Sequence, residues 1–485
     1  MKFFKITLPF ILMCAVHVNL YAENYYVSIS GDNANTGTKF APFRNIQYAV
    51  SKLEAGDTIF IKSGIYNERI ILNGVNGTEN NYITLRNYPE NTSVMIDGVH
   101  YITPENASVT IDGVNKKWDN RWEGLLHIYG SKYIQIKGLK LRNSYGAGFL
   151  VDNSEYIKIE NSKTSDTFSS GIGVWGSSDI TINNNEITKA CSGGGEESIT
   201  LSRTHYSDVS RNKITNNGSA DGVQAGENGG EGIDVKEGSS YINVFENEVH
   251  NLNGRIGIYI DAWDQPTHDI SVFNNVVHNI HNESGIALAC ELGGNGRLDD
   301  IFIYNNVVYS NDKRGIVIAG RANKAKGNKN SLRKMENIYI ANNTLYKNLE
   351  GGIVLNNNDA KKVTIINNIL SENAIAYTYP YQLYIEDHKN GYELIINKDV
   401  IDEREIHIEK NLVEINEGAE YFWAYHDLNL IGTPVFQNPE SANFHLTSAS
   451  LAIDAGVYTP IAIFDFDGID RPVNGVTDIG AYEYH

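Results

Sequence analysis

Cysteine is nearly absent from this chain: the three present, Cys14, Cys191 and Cys290, have no paired spacing. That excludes both a disulfide framework and a cysteine-based zinc site, and leaves Cys191 and Cys290 as small hydrophobic residues of a core. Basic residues are in deficit, 40 Lys and Arg against 59 Asp and Glu, for a net charge of −19. A nucleic acid partner, which needs clustered cations, is therefore excluded. A polyanionic partner would need a local basic patch or a bound cation to offset the field. The thirteen histidines show no metal-ligand spacing along the chain. After the first twenty residues no apolar run is long enough to span a bilayer.

What is present begins with an export address. Met1-Lys2-Phe3-Phe4-Lys5 precedes an apolar run from Ile6 to Val18 and then Leu20-Tyr21-Ala22. A short basic start, an apolar centre and a small residue at the cut site form a secretory signal peptide over residues 1–22. The expected mature chain starts at Glu23 and is secreted, to the periplasm or the cell exterior, without a membrane span and as a monomer.

Forty-four Gly, 29 Tyr, only 10 Pro and abundant Asn and Ile favour many short strands joined by tight turns. A repeat confirms the pattern. Short β-branched runs end in Asn at Asn161, Asn185, Asn212, Asn247, Asn275, Asn306, Asn343 and Asn368, with gaps of 24 to 37 residues. Each repeat carries a second run of the form Gly-Ile-x-Val, starting at Gly171, Gly232, Gly257, Gly285, Gly315 and Gly352. Strands of this length, repeated without a helical period, predict an all-β, right-handed parallel β-helix, a solenoid wound from a single chain. The Asn residues are expected to form a hydrogen-bonded ladder in a left-handed turn. One coil cannot bury its apolar face alone, so residues 23–431 should form one cooperative domain. An amphipathic helix near Asn45 to Leu53 should close its N-terminal end, and the segment 432–485 its C-terminal end.

The motifs at the two ends resemble a known group. Gly31-Asp32, Gly37-Thr38, Pro42-Phe43, Gly56-Asp57-Thr58 and Gly64-Ile65-Tyr66 resemble the opening of secreted bacterial proteins of the pectin-lyase-like β-helix superfamily. The ending DFDGIDRP…DIGAYEY is similar to the tail of many of its Bacteroidetes members. The resemblance implies the fold. It leaves the reaction open among polysaccharide lyases, glycoside hydrolases, epimerases and adhesins.

Aligning the Gly-Ile-x-Val strands predicts which side chains stack outside the coil. With Ile and Val inward, one outward column reads Gly173, Thr200, Asp234, Tyr259, Ala287, Val317. A second reads Trp175, Ser202, Lys236, Asp261, Ala289, Ala319. Chemistry-bearing residues gather on three consecutive coils between residues 197 and 264. Column neighbours lie about 5 Å apart, which places Lys236 beside Asp261, and Asp234 diagonal to Asp261 at about 8 Å. Glu197 is expected beneath Glu231, a like-charge stack that calls for a cation or a proton.

Lysine among carboxylates suits a β-eliminating lyase. Lys236 would be the base, Asp234 and Asp261 its catalytic partners, and Arg203 and Arg255 a clamp for a substrate carboxylate. The superfamily's lyases commonly combine a Lys or Arg base with Ca²⁺, and the stretch GEGIDVKEG resembles the base-carrying segment of one Ca²⁺-dependent pectate lyase family. It lacks that family's consecutive acidic run. The resemblance assigns Ca²⁺ to Glu197, Glu231 and Asp234, with no organic cofactor. Trp175, Tyr259 and Trp263 would offer faces for stacking sugars, and Glu291 would join the substrate contacts. A second reading is an inverting glycoside hydrolase using Asp234 and Asp261, whose spacing leaves room for a water. A third, from another class, is a carbohydrate-binding adhesin without catalysis. Either way the expected partner is a polysaccharide or oligosaccharide.

Overall fold

The computed structural model describes residues 22–485 apart from 97–98, 106–107, 117, 119, 195, 218–229, 292–294, 321–333, 358, 375–382, 386–401 and 415–427. The signal peptide, residues 1–22 as read above, therefore lies outside the described residues except for Ala22.

Three strands per coil stack into three long parallel sheets of 13, 13 and 11 strands. The fold is a right-handed parallel β-helix, with almost no helix. Alternation within each strand sends every second residue inward. Rows such as Ile134, Ile157 and Ile180, continued after Ser207 by Ile242, Ile270 and Ile301, stack in register and are essentially fully buried. One apolar cluster runs unbroken from Val27 to Val413.

The Asn ladder is present, displaced by one residue in its first coil. Its members are Asn185, Asn212, Asn247, Asn275, Asn306, Asn343, Asn368, Asn411 and Asn429, and the coil before Asn185 contributes Ser162 rather than Asn161. Each Oδ1 accepts from the backbone N–H of the previous coil's ladder residue and, from Asn185 onward, from its side-chain amide as well, at 2.9–3.0 Å. The left-handed backbone falls on the residue before each rung from Ser162 to Asn411: Asn161, Asn184, Arg211, Glu246, Asn274, Asn305, Asn342, Asn367 and Lys410, with φ between 51° and 56°. The two roles given to one Asn are thus divided between neighbours, because the ladder amide must point inward while the turn residue remains outside. A shorter second ladder joins Asn311, Asn348 and Asn373.

The N-terminal helix forms as Ile46–Val50, shorter than expected, and lays Ile46, Ala49 and Val50 on the core. An antiparallel hairpin, Glu90–Ile96 with Val99–Glu105, leaves the coil. The C-terminal segment does not lie only across the end of the coil. Phe436, Phe444, Leu446, Ile479 and Tyr482 pack on the flank of the last coils, against Val307, Tyr346, Ile369 and Leu412. Those outward positions are apolar because this segment covers them, and Asn305, Asn342 and Asn367 bond to its backbone.

Candidate functional site

The register aligns the two columns as the strand pattern predicts. Gly173, Thr200, Asp234, Tyr259, Ala287 and Val317 pair in turn, as do Trp175, Ser202 and Lys236, and, further on, Asp261, Ala289 and Ala319. They lie on the outer face of the 11-stranded sheet.

The side chains do not make the contacts expected of them. Lys236 donates to Glu197 Oε1 at 2.6 Å, with Asp234 Oδ2 at 3.4 Å, and its charge also acts on Asp261 without an ion pair between them. Glu197 is held for this contact: its Oε2 accepts from Thr200 Oγ1 at 2.8 Å, and Thr200 is backed by Ser170 at 2.9 Å. Lys236 keeps only 17% of its side chain exposed, Glu197 7% and Asp234 3%. Glu196, Glu231 and Asp261 are buried beside them. Glu231 Oε2, Asp234 Oδ1 and Asp261 Oδ1 are buried and accept no hydrogen bond.

So many buried carboxylates around one ammonium favour protonation. Burial, reinforced by Glu197, pushes Glu196 and Glu231 up to about 7. Burial likewise holds Asp234 and Asp261 well above the usual carboxylate range, with Lys236 opposing it. For Lys236 burial alone would lower the pKa, yet Asp234 and Glu197 outweigh it and hold the ammonium well above its ordinary value.

The proposed calcium ligands meet the chemistry of a hard cation, since Glu231 and Asp234 each carry a buried oxygen without a donor. They do not converge as they stand. Among the described residues Glu197, Glu231 and Asp234 do not gather one oxygen each within 4.8 Å of one another, and Lys236 fills the space between two of them.

The predicted sugar contacts separate into two groups. Trp175 and Arg203 line a cavity of about 280 Å³ together with Arg121, Trp122 and Asp152. Arg203 also reaches Glu237 Oε2 at 2.8 Å, and the same oxygen accepts from Ser202. His127 bonds Asp152 at 3.0 Å. By contrast, Tyr259 is not an open stacking face. It is 9% exposed, packs with Ala287, Ala289, Val317 and Val354, and donates its hydroxyl to Glu291 at 3.0 Å. Trp263 is 48% exposed but does not line the cavity. Arg255 stands close enough to Glu231 to favour its ionised form. Sequence reasoning missed Glu196, Arg121, Glu237 and the His127–Asp152 pair. Extending the second column one coil back from Trp175 leads to Asp152, which pairs with it, so that one signal was available.

Comparison with known proteins agrees with this architecture. Residues 124–330 match the family described as right handed beta helix region. A 73-residue segment is 44% identical to the uncharacterized protein YwoF of Bacillus subtilis (15% of each chain). A 137-residue segment is 31% identical to pectate lyase PEL9 of Emericella nidulans, covering 28% of this chain and 32% of that one. The chain thus matches well under half the length of either curated relative. Among solved structures, pectate lyase Pel9A superposes with a TM-score of 0.52 at 13% identity, over 96% of both chains. XylC in complex with xylose superposes with a TM-score of 0.57 at 13% identity, over 94% of this chain and 98% of that one. Among the described residues no helix is long and apolar enough to cross a membrane. The chain has the right-handed parallel β-helix fold of these solved structures, and its residues 124–330 carry the matching family segment.

Proposed function

We propose that this protein is a secreted enzyme that cleaves a uronic-acid-containing polysaccharide by β-elimination, with Lys236 as the base. One observation carries the reading. Lys236 is a largely covered lysine on the outer face of the sheet, clasped by Glu197 and Asp234, on the same sheet face as a cavity lined by Trp175, Arg121 and Arg203. The local likeness to a pectate lyase supports the same class.

In this reading the uronate lies along the groove, with its carboxylate toward Arg203 or Arg121 and a ring face on Trp175. The C5 proton passes to Lys236 Nζ. Its electron pair forms the C4–C5 double bond as the C4–O4 bond breaks, and O4 departs with a proton from a neutral carboxyl. Burial keeps such carboxyls in reserve, Asp261 and Glu231 among them. Lys236 must first lose its own proton. The acids around it now prevent that, whereas burial alone would promote it. The Ca²⁺ expected from the resemblance does not fit Glu197, Glu231 and Asp234 as they stand, because their oxygens do not converge and Lys236 occupies Glu197 and Asp234, so no step passes through it.

The test is a panel of pectate, alginate and other acidic glycans followed by ultraviolet absorbance of the unsaturated uronate product. Release of that chromophore, lost in Lys236→Ala, supports the reading. New reducing ends without the chromophore would favour hydrolysis instead. A specific observation keeps hydrolysis as the second reading: Asp234 and Asp261 sit on adjacent coils with raised pKa values, as a general acid requires. Retained glycan binding without any cleavage would mark an adhesin.

A further inference from the structure

We infer that His250, His278 and Glu248 form a site for a borderline divalent transition ion of the Zn²⁺ type, on a sheet separate from the groove. Spacing along the chain hides it, since the two histidines are 28 residues apart. The coil brings them together: strand Glu248–His250 pairs with Val276–His278, and His250 lies directly opposite His278. The imidazoles are parallel within 1°, their centroids 4.9 Å apart. Glu248 precedes His250 by two residues and so shares its face. Its Oε1 is 3.5 Å from His250 Nε2 and 4.0 Å from His278 Nε2.

Three features point to an ion rather than an ordinary surface cluster. First, these distances are too long for hydrogen bonds. They are close to the roughly 3.4 Å that separates two ligand atoms on one tetrahedral ion with bonds of about 2.1 Å. Second, both ring nitrogens of His250 and Nδ1 of His278 are buried without a hydrogen-bond partner. Unpaired buried ring nitrogens are rare unless something else binds them. Third, Lys213 takes only the other carboxylate oxygen, Glu248 Oε2, at 2.9 Å, which leaves Oε1 directed at the imidazoles. One oxygen and two nitrogens select a borderline ion such as Zn²⁺ over Ca²⁺ or Mg²⁺. The three ligand atoms already lie within 4.8 Å of one another, and tilting the two parallel rings toward each other would aim both in-plane lone pairs at one ion and leave a position open to water. His278 stacks on Tyr309 at 4.6 Å, and Tyr309 meets Phe444 of the C-terminal segment at 5.2 Å. An ion here would pin two coils together beside that segment.

The experiment uses the untagged protein, freed of metal with a chelator and titrated with Zn²⁺, with Ca²⁺ as a separate arm, by calorimetry and thermal unfolding. Expected are one equivalent of Zn²⁺ bound, a rise in melting temperature, and affinity roughly tenfold or more weaker in His278→Gln and Glu248→Gln. The wild type charged with Co²⁺ provides a readout that needs no variant: visible ligand-field bands of a low-coordinate site with nitrogen donors are expected. Absence of stoichiometric Zn²⁺ binding, absence of those bands, or Zn²⁺ binding unchanged in both variants would overturn the site. Cleavage of glycans plays no part in these readouts, so this result stands apart from the proposed activity.

Discussion

Two regions of this molecule bury polar side chains, and they treat them in opposite ways. In the Asn ladder each inner rung both donates and accepts: Asn275 donates to Asn306 Oδ1 and to the carbonyls of Val244 and Phe273, while its own Oδ1 accepts from Asn247. In the acid cluster Glu231, Asp234 and Asp261 each bury an oxygen that nothing satisfies. Satisfied burial holds the coils together; unsatisfied burial stores electrostatic free energy that a ligand, a proton or a cation can release. The same solenoid therefore separates into a satisfied polar row and an unsatisfied one.

Substitutions can break or sharpen that contrast. The largest stability effect is expected in the ladder. Asn275→Ala leaves the backbone N–H of Asn247 without its acceptor and takes a donor from the carbonyls of Val244 and Phe273, and should cost about 3 kcal/mol or more in urea unfolding. A loss below about 1 kcal/mol would mean the ladder is not a principal source of stability. Next is the pH dependence of the acid cluster. Glu196 and Glu231 bind protons more tightly folded, at about 7, than unfolded, at about 4.5. The folded state thus holds the extra protons between those values, so stability should fall as pH rises from about 4.5 to about 7 and level off above. Thermal unfolding across that range checks the sign, and a flat profile would contradict burial of these acids. Glu231→Gln should flatten the slope and, at pH 8, stabilise the fold by about 1 kcal/mol while lowering activity. Destabilisation there, as in the ladder, would erase the contrast. The smallest stability effect is expected in the cavity. Trp175→Ala should raise KM roughly tenfold and leave unfolding within about 0.5 kcal/mol. An unchanged KM would remove Trp175 from the sugar path.

Much of this was legible in the sequence, and what was not has identifiable causes. Strand alternation and the Gly-Ile-x-Val repeat determine both outward columns, because a parallel coil leaves little freedom in register. The ladder was read one residue early at Asn161, since an Asn in the turn and an Asn in the rung look alike in a string of letters. The choice of Lys236 for Glu197 and Asp234 rather than Asp261 is a matter of side-chain rotamer, and a column gives only Cα neighbours. Tyr259 was read as open because outward from a coil is not the same as exposed: the apolar residues stacked beyond it, Ala287, Val317 and Val354, already mark a covered face. The flank occupied by the C-terminal segment shows the same signature at Val307, Ile369 and Leu412. His250 and His278 escaped notice because ligand spacing was sought along the chain, while a solenoid creates it across coils.

The central claim is that Lys236 removes a proton from a uronate. The most direct measurement compares wild type and Lys236→Ala on a cleavable acidic glycan, following the unsaturated product by absorbance, with circular dichroism confirming that both are folded. The expected result is chromophore formation by the wild type and a loss of roughly a hundredfold or more in the variant, with the coil intact. Chromophore formation at near wild-type rate by folded Lys236→Ala would contradict it.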